Sequence, residues 1–420
     1  MHDRTGKNPW RGDDGRATVA VASCTDYTTE RVDGAVRQVV RLLGGLDRFV
    51  TPGTRVLLKP NLLQGLPPER SVSTHPAVVG AMARLLLAHG CTVTLADSPG
   101  GGIRYTGPNL KRAYQEAGYE ALARENGFTL NLDTGSEVVP YPGGNVCTRF
   151  PLIAPARASD HIVVVSKAKT HVLTLLTGGT KNLFGLIPGL EKPLFHSRFQ
   201  EPRRFAGMLV DLNLMLQPSL QVVDAVVAME GDGPTGGSPR SLGVILAGAD
   251  PLAVDMVLCR LMSLDPLDVP ILAYAVSAGL CRCDGRDIDL LGDPLEPFVL
   301  HDFRKPSTYQ GPGRGMRVKP LFRAVHRLGR VYALRPSVVP GSCTGCGRCA
   351  TICPGRAITL QGRRARIDLS RCIRCYCCHE MCSGGAIRLG RGPAGSLLHR
   401  ILRWEASDRD DGAGQDGAAR

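Results

Sequence analysis

Eight cysteines between Cys343 and Cys382 fall into two copies of one spacing, Cys343-x2-Cys346-x2-Cys349-x3-Cys353 and Cys372-x2-Cys375-x2-Cys378-x3-Cys382. Each recurs 29 positions later (343 to 372, 346 to 375, 349 to 378, 353 to 382), so the segment is an internal duplication. Three thiolates separated by two residues can wrap one corner of a cubane iron–sulfur cluster, each gripping a different iron. The fourth iron needs a remote ligand, which in a two-cluster module comes from the opposite repeat. That rule assigns Cys343, Cys346, Cys349 and Cys382 to a first 4Fe-4S cluster and Cys372, Cys375, Cys378 and Cys353 to a second. Structural zinc also uses Cys-x2-Cys pairs, but a tetrahedral ion gains nothing from a third evenly spaced thiolate. A disulfide framework is not expected either. The opening MHDRTGKNPWRGDDGRA is polar and mixed in charge, with no secretory apolar core, which points to the cytoplasm.

The segment resembles bacterial-type ferredoxins that carry two 4Fe-4S clusters. Pro354 follows the first repeat, and the strand-like runs 357–360 and 386–389 follow the two repeats. The resemblance implies a small α+β ferredoxin-like domain over residues 336–392. It is departed from at Ser383, where proline is usual, and at Cys377, which adjoins Cys378 as a second candidate for the third ligand. Cys24, Cys91, Cys147, Cys259, Cys281 and Cys283 remain. Most sit in apolar segments and read as buried thiols of a reducing compartment.

A second set of reactive residues lies upstream. Lys59, Lys167, Lys169 and Lys181, with His75 and His171, offer cations and proton donors. Such a set suits an anionic or enolate-like substrate, because lysine supplies a point charge and imidazole exchanges a proton near neutral pH. Lys169 and His171 are the residues expected to donate a proton and stabilise an oxyanion. The plainer alternative makes some of these lysines ion-pair partners of Asp224, Glu230, Asp250 or Asp255. Asp97, Asp224, Glu230 and Asp232 could also hold a divalent cation through oxygen ligands, although no spacing among them is diagnostic. The loops 177–185 and 231–237 are glycine-rich but match neither G-x4-G-K-[ST] nor G-x-G-x2-G, and glycine often serves turn geometry alone.

These groups must be positioned by an alternation of apolar strands and amphipathic helices. Residues 17–23, 55–59, 91–96, 161–165, 220–224 and 242–247 read as strands. Helices are expected over 32–43, from an N-cap at Thr74 with Pro76 in the first turn to about His89, over 109–125, over 203–216, and from Asp250 onward. This order predicts an α/β domain over residues 17–300, with a mostly parallel sheet and crossover helices. Ligands of such sheets gather beyond the carboxyl ends of the strands, where Lys59, Asp97, Lys167 to His171, Glu230 and Asp250 fall. Residues 1–16 are expected to be disordered, 301–335 to be a basic linker, and 393–420 to form a short amphipathic helix at 397–404 and a disordered tail.

A length of 420 residues exceeds one ordinary domain, and 43% hydrophobic content fits a globular protein. No apolar run reaches the roughly 18–20 residues of a membrane span. The net charge of +13 is concentrated between Arg304 and Arg335. Nucleic acid is not expected as a partner, because no recognised module and little aromatic interleaving accompany the charge. A solvated face, an acidic redox partner or peripheral contact with an anionic membrane accounts for it.

The motifs VLLKPNL (56–62), STHP (73–76), SKAKTH (166–171), TKNLFG (180–185), VVDAVVAMEGDGPTGG (222–237) and AGADPLAVD (247–255) resemble, in this order, the family known only as domain of unknown function 362. That family is often joined to ferredoxin-like modules, and its name implies almost no chemistry. The expectation from the residues is an iron–sulfur oxidoreductase. An external low-potential donor would reduce two 4Fe-4S clusters, and single electrons would pass to a small anionic, quinone-like or phenol-like substrate in the lysine- and histidine-lined pocket. The alternative is a non-catalytic electron-transfer or assembly protein whose α/β domain binds a partner or metabolite.

Overall fold

The computed structural model describes residues 8–100, 103–309, 334–382 and 384–393. In chain order its α/β part has strands β1 (Ala17–Ser23), β2 (Arg55–Pro60), β3 (Thr92–Leu95), β4 (Thr129–Leu130), β5 (Ser136–Pro140), β6 (Arg149–Ile153), β7 (His161–His171), β8 (Leu175–Thr177), β9 (Leu220–Glu230), β10 (Ser238–Gly248) and β11 (Ile288–Gly292). Strands β5 and β6 form a hairpin apart. The other nine make one sheet in the order β11-β1-β10-β9-β7-β2-β3-β4, with β8 on β7. The pairs β7·β9, β7·β2, β2·β3, β3·β4 and β1·β11 are parallel, whereas β10 runs antiparallel to β1 and β9.

The fold is thus α/β with a mostly parallel sheet. Strands β2, β7 and β9 are almost wholly buried because helices cover both faces, the usual reason for near-continuous apolar runs. One face packs against Val36, Met82 and Tyr114 of the helices Thr29–Leu42, Pro76–Ala88 and Gly107–Glu116. The other packs against Leu209 and Leu258 of the helices Pro202–Leu216 and Pro251–Leu261. The parallel strands deliver Asn61, Asp97, Lys169 and Glu230 to one edge.

Several expectations need correction. The strand expected over 161–165 runs on to His171, because β8 pairs with Lys169, Thr170 and His171. The helix expected over 109–125 is broken at Gly118, whose φ of 79° is left-handed. The cap of the helix Pro76–Ala88 is His75, whose Nδ1 accepts from Ala77 N at 3.2 Å. Thr74 instead ties two strand ends, its Oγ1 accepting from Asn61 N at 2.9 Å and donating to Val165 O at 2.7 Å. Residues 8–16 are held rather than disordered: Asn8 Nδ2 donates to Asp250 Oδ2 at 2.8 Å, and Arg11 pairs with Asp250 at 2.9 Å and with Asp287. Arg314, Arg317, Lys319, Arg323, Arg327 and Arg330 and the helix expected over 397–404 lie outside the described residues.

Beyond them β12 (Arg335–Val338) pairs antiparallel with β15 (Ile387–Gly390), and β13 (Ile358–Gln361) with β14 (Arg364–Ile367). Adding 29 to the numbers of β12 and β13 gives β14 and β15, so the duplication is also a structural one.

Candidate functional site

The repeat extends to the backbone that carries the cysteines. Gly345 and Gly347 have φ of 71° and 76°, and 29 residues later Arg374 and Tyr376 hold 58° and 59°; Arg356 at 46° matches Gly385 at 62°. Side-chain-bearing residues adopt this left-handed region only against a steric cost, so the second repeat keeps the loop shape at the expense of strain. The shape aims N–H groups at sulfur. Ala357 N donates to Cys353 Sγ at 3.2 Å and Ala386 N to Cys382 Sγ at 3.1 Å.

Cys343, Cys346, Cys349 and Cys382 line one cavity. Burial pushes the Cys349 thiol up, and Cys346, Cys343 and Cys382 push it the same way. Burial likewise raises Cys378, with Cys375, Cys372, Cys349 and Cys353 as its charged neighbours. The first expected quartet thus lines one cavity, while Cys378 neighbours Cys372, Cys375 and Cys353 but also Cys349 of the first. Cys377 packs instead with Ile352 and Met381 and faces a different cavity. Soft thiolates with N–H donors on their sulfurs are the donor set that a 4Fe-4S cluster requires. Among the described residues no three His, Cys, Asp or Glu side chains surround a single-ion site. Cluster ligands, each gripping a different iron, need not do so.

The short helix Cys377–Glu380 is pressed against the carboxyl edge of the sheet. Gln64 Nε2, beyond β2, and Thr235 Oγ1, beyond β9, donate to Glu380 O at 3.2 and 2.8 Å. Between sheet and helix lies a cavity of about 70 Å³ whose polar walls are Asn61, Asp97, Lys181, Lys192, His196 and Glu380. That volume is well below the roughly 300–1,000 Å³ of a cofactor-sized site. It admits a carboxylate- or phosphate-sized group, or the edge of a larger molecule.

Lys181 is half-buried and has no hydrogen bond or ion pair among the described residues; burial lowers its pKa and Glu380 opposes that. Lys192 donates to Ser98 O and Ser98 Oγ at 2.8 and 2.9 Å, and burial brings its pKa down to about 7. Asp97 Oδ2 accepts from Lys59 Nζ at 3.0 Å and Leu62 N at 2.8 Å, leaving the buried Oδ1 without a partner among the described residues. Gly185 belongs here for space, since a Cβ would collide with both Lys59 and Asp97. His196 stacks on Phe205 at 4.4 Å and is kept neutral by burial, its pKa falling to about 3.

Of the six expected lysines and histidines only Lys181 borders this cavity directly. Lys169 stands behind Asn61, donating to its Oδ1 at 2.8 Å, and Lys59 donates to Asn182 Oδ1 at 3.1 Å, where Asn61 Nδ2 also donates at 3.0 Å. Both lysines are buried, which lowers their pKa values. They orient amides. His171 Nδ1 accepts from Leu173 N and Thr174 N at 3.0 and 3.3 Å, which puts the neutral ring's proton on Nε2, 3.4 Å from Glu380 Oε1. Burial keeps that ring neutral and raises Glu380 to about 7.

Lys167 and His75 stand apart. Lys167 Nζ donates to Asp224 Oδ2 and Tyr27 OH, both at 2.8 Å, and Tyr27 OH donates to Asp224 Oδ1 at 2.8 Å. The Tyr27 ring lies flat on His75 at 3.6 Å. The carboxylates expected to share a divalent cation do not converge: Asp97 serves Lys59, Asp224 serves Lys167, Glu230 pairs with Arg304 at 2.7 Å, and Asp232 accepts from Ser307 N at 2.6 Å. Asp250 caps the helix Pro251–Leu261, and Asp255 accepts from Gly179 N and Thr180 N. Sequence reading missed Asn61, Lys192, His196 and Glu380. Lys192 and His196, four apart on the helix Glu191–Arg198, carry a readable spacing; Glu380 carries none, because its role follows from how the two parts dock.

A profile described as a domain of unknown function, DUF362, matches residues 56–260, and one described as a 4Fe-4S dicluster domain matches residues 335–383. The chain is 32% identical over 299 residues to a thylakoid-associated protein of Synechocystis sp., covering 69% of this chain and 88% of that protein. Over 105 residues it is 33% identical to NADH-quinone oxidoreductase subunit I 2 of Geobacter metallireducens, covering 23% of this chain and 76% of that one. Among solved structures the lactate racemase apoprotein of Thermoanaerobacterium thermosaccharolyticum has a TM-score of 0.40 at 14% identity, over 59% of this chain and 57% of that chain, too slight a likeness to argue from. No helix among the described residues is long and apolar enough to cross a membrane.

Proposed function

The chain belongs to the domain of unknown function 362 family and carries a 4Fe-4S dicluster domain, and from that premise we propose that it is an iron–sulfur reductase whose electron acceptor is a small anion held between its two parts. One observation carries the reading. The helix Cys377–Glu380, set between two cysteines of the repeat, walls the same cavity as Lys181 and Lys192. When bound, 4Fe-4S clusters supply single electrons at potentials set by their surroundings. The similarity of the cysteine repeats to a subunit of an NADH-quinone oxidoreductase supports the same use.

The residues of the chain supply binding and protons. Lys181 offers an ammonium to a carboxylate, phosphate or phenolate oxygen, and Lys192 adds charge when protonated. Asp97 Oδ1 accepts from a hydroxyl of the bound molecule. Asn61, gripped by Lys169 and Asn182, is a fixed amide wall. His171 holds a proton on Nε2 toward Glu380. The clusters are expected at Cys343, Cys346, Cys349 and Cys382 and at Cys372, Cys375, Cys378 and Cys353. The electron source is an external low-potential donor, and the cytoplasm is the proposed setting.

The test is anaerobic reoxidation of the reduced, reconstituted protein by a panel of small anionic acceptors, comparing wild type with Lys181→Ala at equal iron and sulfide content. Slower reoxidation of the variant by at least one acceptor is expected. Identical rates across the panel would sink the proposal.

A further inference from the structure

We propose that the arginine-rich hairpin β13–β14 beside the first cysteine quartet is the docking surface for an acidic electron-carrier protein. This rests on the electron-transfer reading above and adds the place and chemistry of the donor.

The hairpin lies over the quartet. A Cβ on Gly345, between Cys343 and Cys346, would stand 2.9 Å from the Arg363 Cα, and one on Gly347 would stand 3.3 Å from Leu360 Cδ1. Ala365 is buried and lines the quartet's cavity, so strand alternation turns Arg364 and Arg366 outward. Both are exposed, as are Arg363, Arg356, Arg371 and Arg388. Five of these six have no carboxylate partner among the described residues, and Arg371 lies near Asp368. Asp368 and Glu380 are the carboxylates described between residues 334 and 393, and Glu380 faces the other cavity.

The surface is also suited to contact. Leu360 and Leu369 are each 44% exposed, a modest apolar centre within the arginines. Of the eight repeat cysteines Cys346 is the exposed one, whereas Cys378 of the other quartet is buried with Ile358, Ala365 and Ile387. Charge concentrated round the accessible ligand favours a redox protein over a lipid surface, which has no reason to sit at a thiolate. Opposite charge steers such encounters and makes them sensitive to salt. The exchange itself moves one electron. The carrier is oxidised by one, the group held by Cys343, Cys346, Cys349 and Cys382 is reduced by one, and no bond or proton changes hands.

The probe is an acidic flavodoxin, fluorescently labelled and titrated with reconstituted full-length protein at low and high ionic strength. The R363E/R364E/R366E variant and anionic phosphatidylglycerol vesicles run in parallel. Binding should weaken roughly tenfold or more both with salt and in the variant, at unchanged iron and sulfide content. Equal binding by the variant, no flavodoxin binding by the wild type, or hairpin-dependent capture by vesicles alone would overturn the docking assignment. Reduction of the same samples by dithionite reads the electron-transfer premise separately, because it needs no docked protein.

Discussion

Two lysine constellations stand at the carboxyl edge of one sheet, made from the same residue types, and they end in opposite conditions. Around Lys167 every strong group is answered: the ammonium meets Asp224 and Tyr27, Asp224 also takes His75 N at 2.9 Å, and the Tyr27 ring covers His75. Around Lys59 and Lys169 the buried charges are also tied, but the groups they orient open onto a cavity with Lys181 and Asp97 Oδ1 unanswered among the described residues. A lysine at a strand end is therefore no sign of a site by itself. The unsatisfied polar atom facing a cavity is.

The largest effect that probes this contrast is on stability. Asp224→Ala would leave Lys167 buried without its counter-charge and should cost roughly 3–5 kcal/mol, seen in urea unfolding. The folded fraction should still pass electrons to acceptors at the wild-type rate. Loss of reaction without loss of stability would invert the comparison. Lys181→Ala should do the reverse, leaving the unfolding midpoint nearly unchanged and slowing acceptor reduction about 10- to 100-fold, the value of one hydrogen bond to a charged group.

A smaller effect separates Lys192 from its neighbours. Its folded pKa of about 7 makes it a cation below that pH and neutral above. Affinity for a small anion should thus fall as pH rises through 7, by roughly tenfold, and Lys192→Met should flatten the profile. The stability contribution has the opposite sense. The unfolded chain keeps this proton well above pH 7, so stability rises with pH above about 7. The smallest expected effect is that of Tyr27→Phe, about 1 kcal/mol of stability from the lost bonds to Asp224 and Lys167, with acceptor reduction unaltered.

The 4Fe-4S dicluster domain was legible in sequence because a thiolate repeat has few other uses and a 29-residue period cannot be hidden. The sheet was legible because β2, β7 and β9 are apolar runs ending in polar residues. Lys169 and His171 were read as catalytic from residue type and position, yet both lie behind other side chains, since β7 continues past the strand expected over 161–165. Whether a strand persists past its apolar run depends on a partner such as β8, which local pattern does not reveal. Glu380 was invisible for a related reason. Flanked by cysteines, it becomes a wall of the α/β cavity only when the two parts dock through Gln64 and Thr235.

If the lysine-lined cavity, walled by Ile352 and Cys377, abuts the second cysteine quartet, an anaerobic redox titration followed by electron paramagnetic resonance will register it without knowledge of the acceptor. A nearby cation stabilises the more negative reduced state, so Lys181→Ala should move one of two midpoint potentials to a lower value and leave the other in place. The exposed Arg55→Ala, at the amino end of β2 and so at the opposite edge of the sheet, should move neither. If Lys181→Ala leaves both potentials unchanged, the cavity and the clusters are not electrostatically joined, and the account fails.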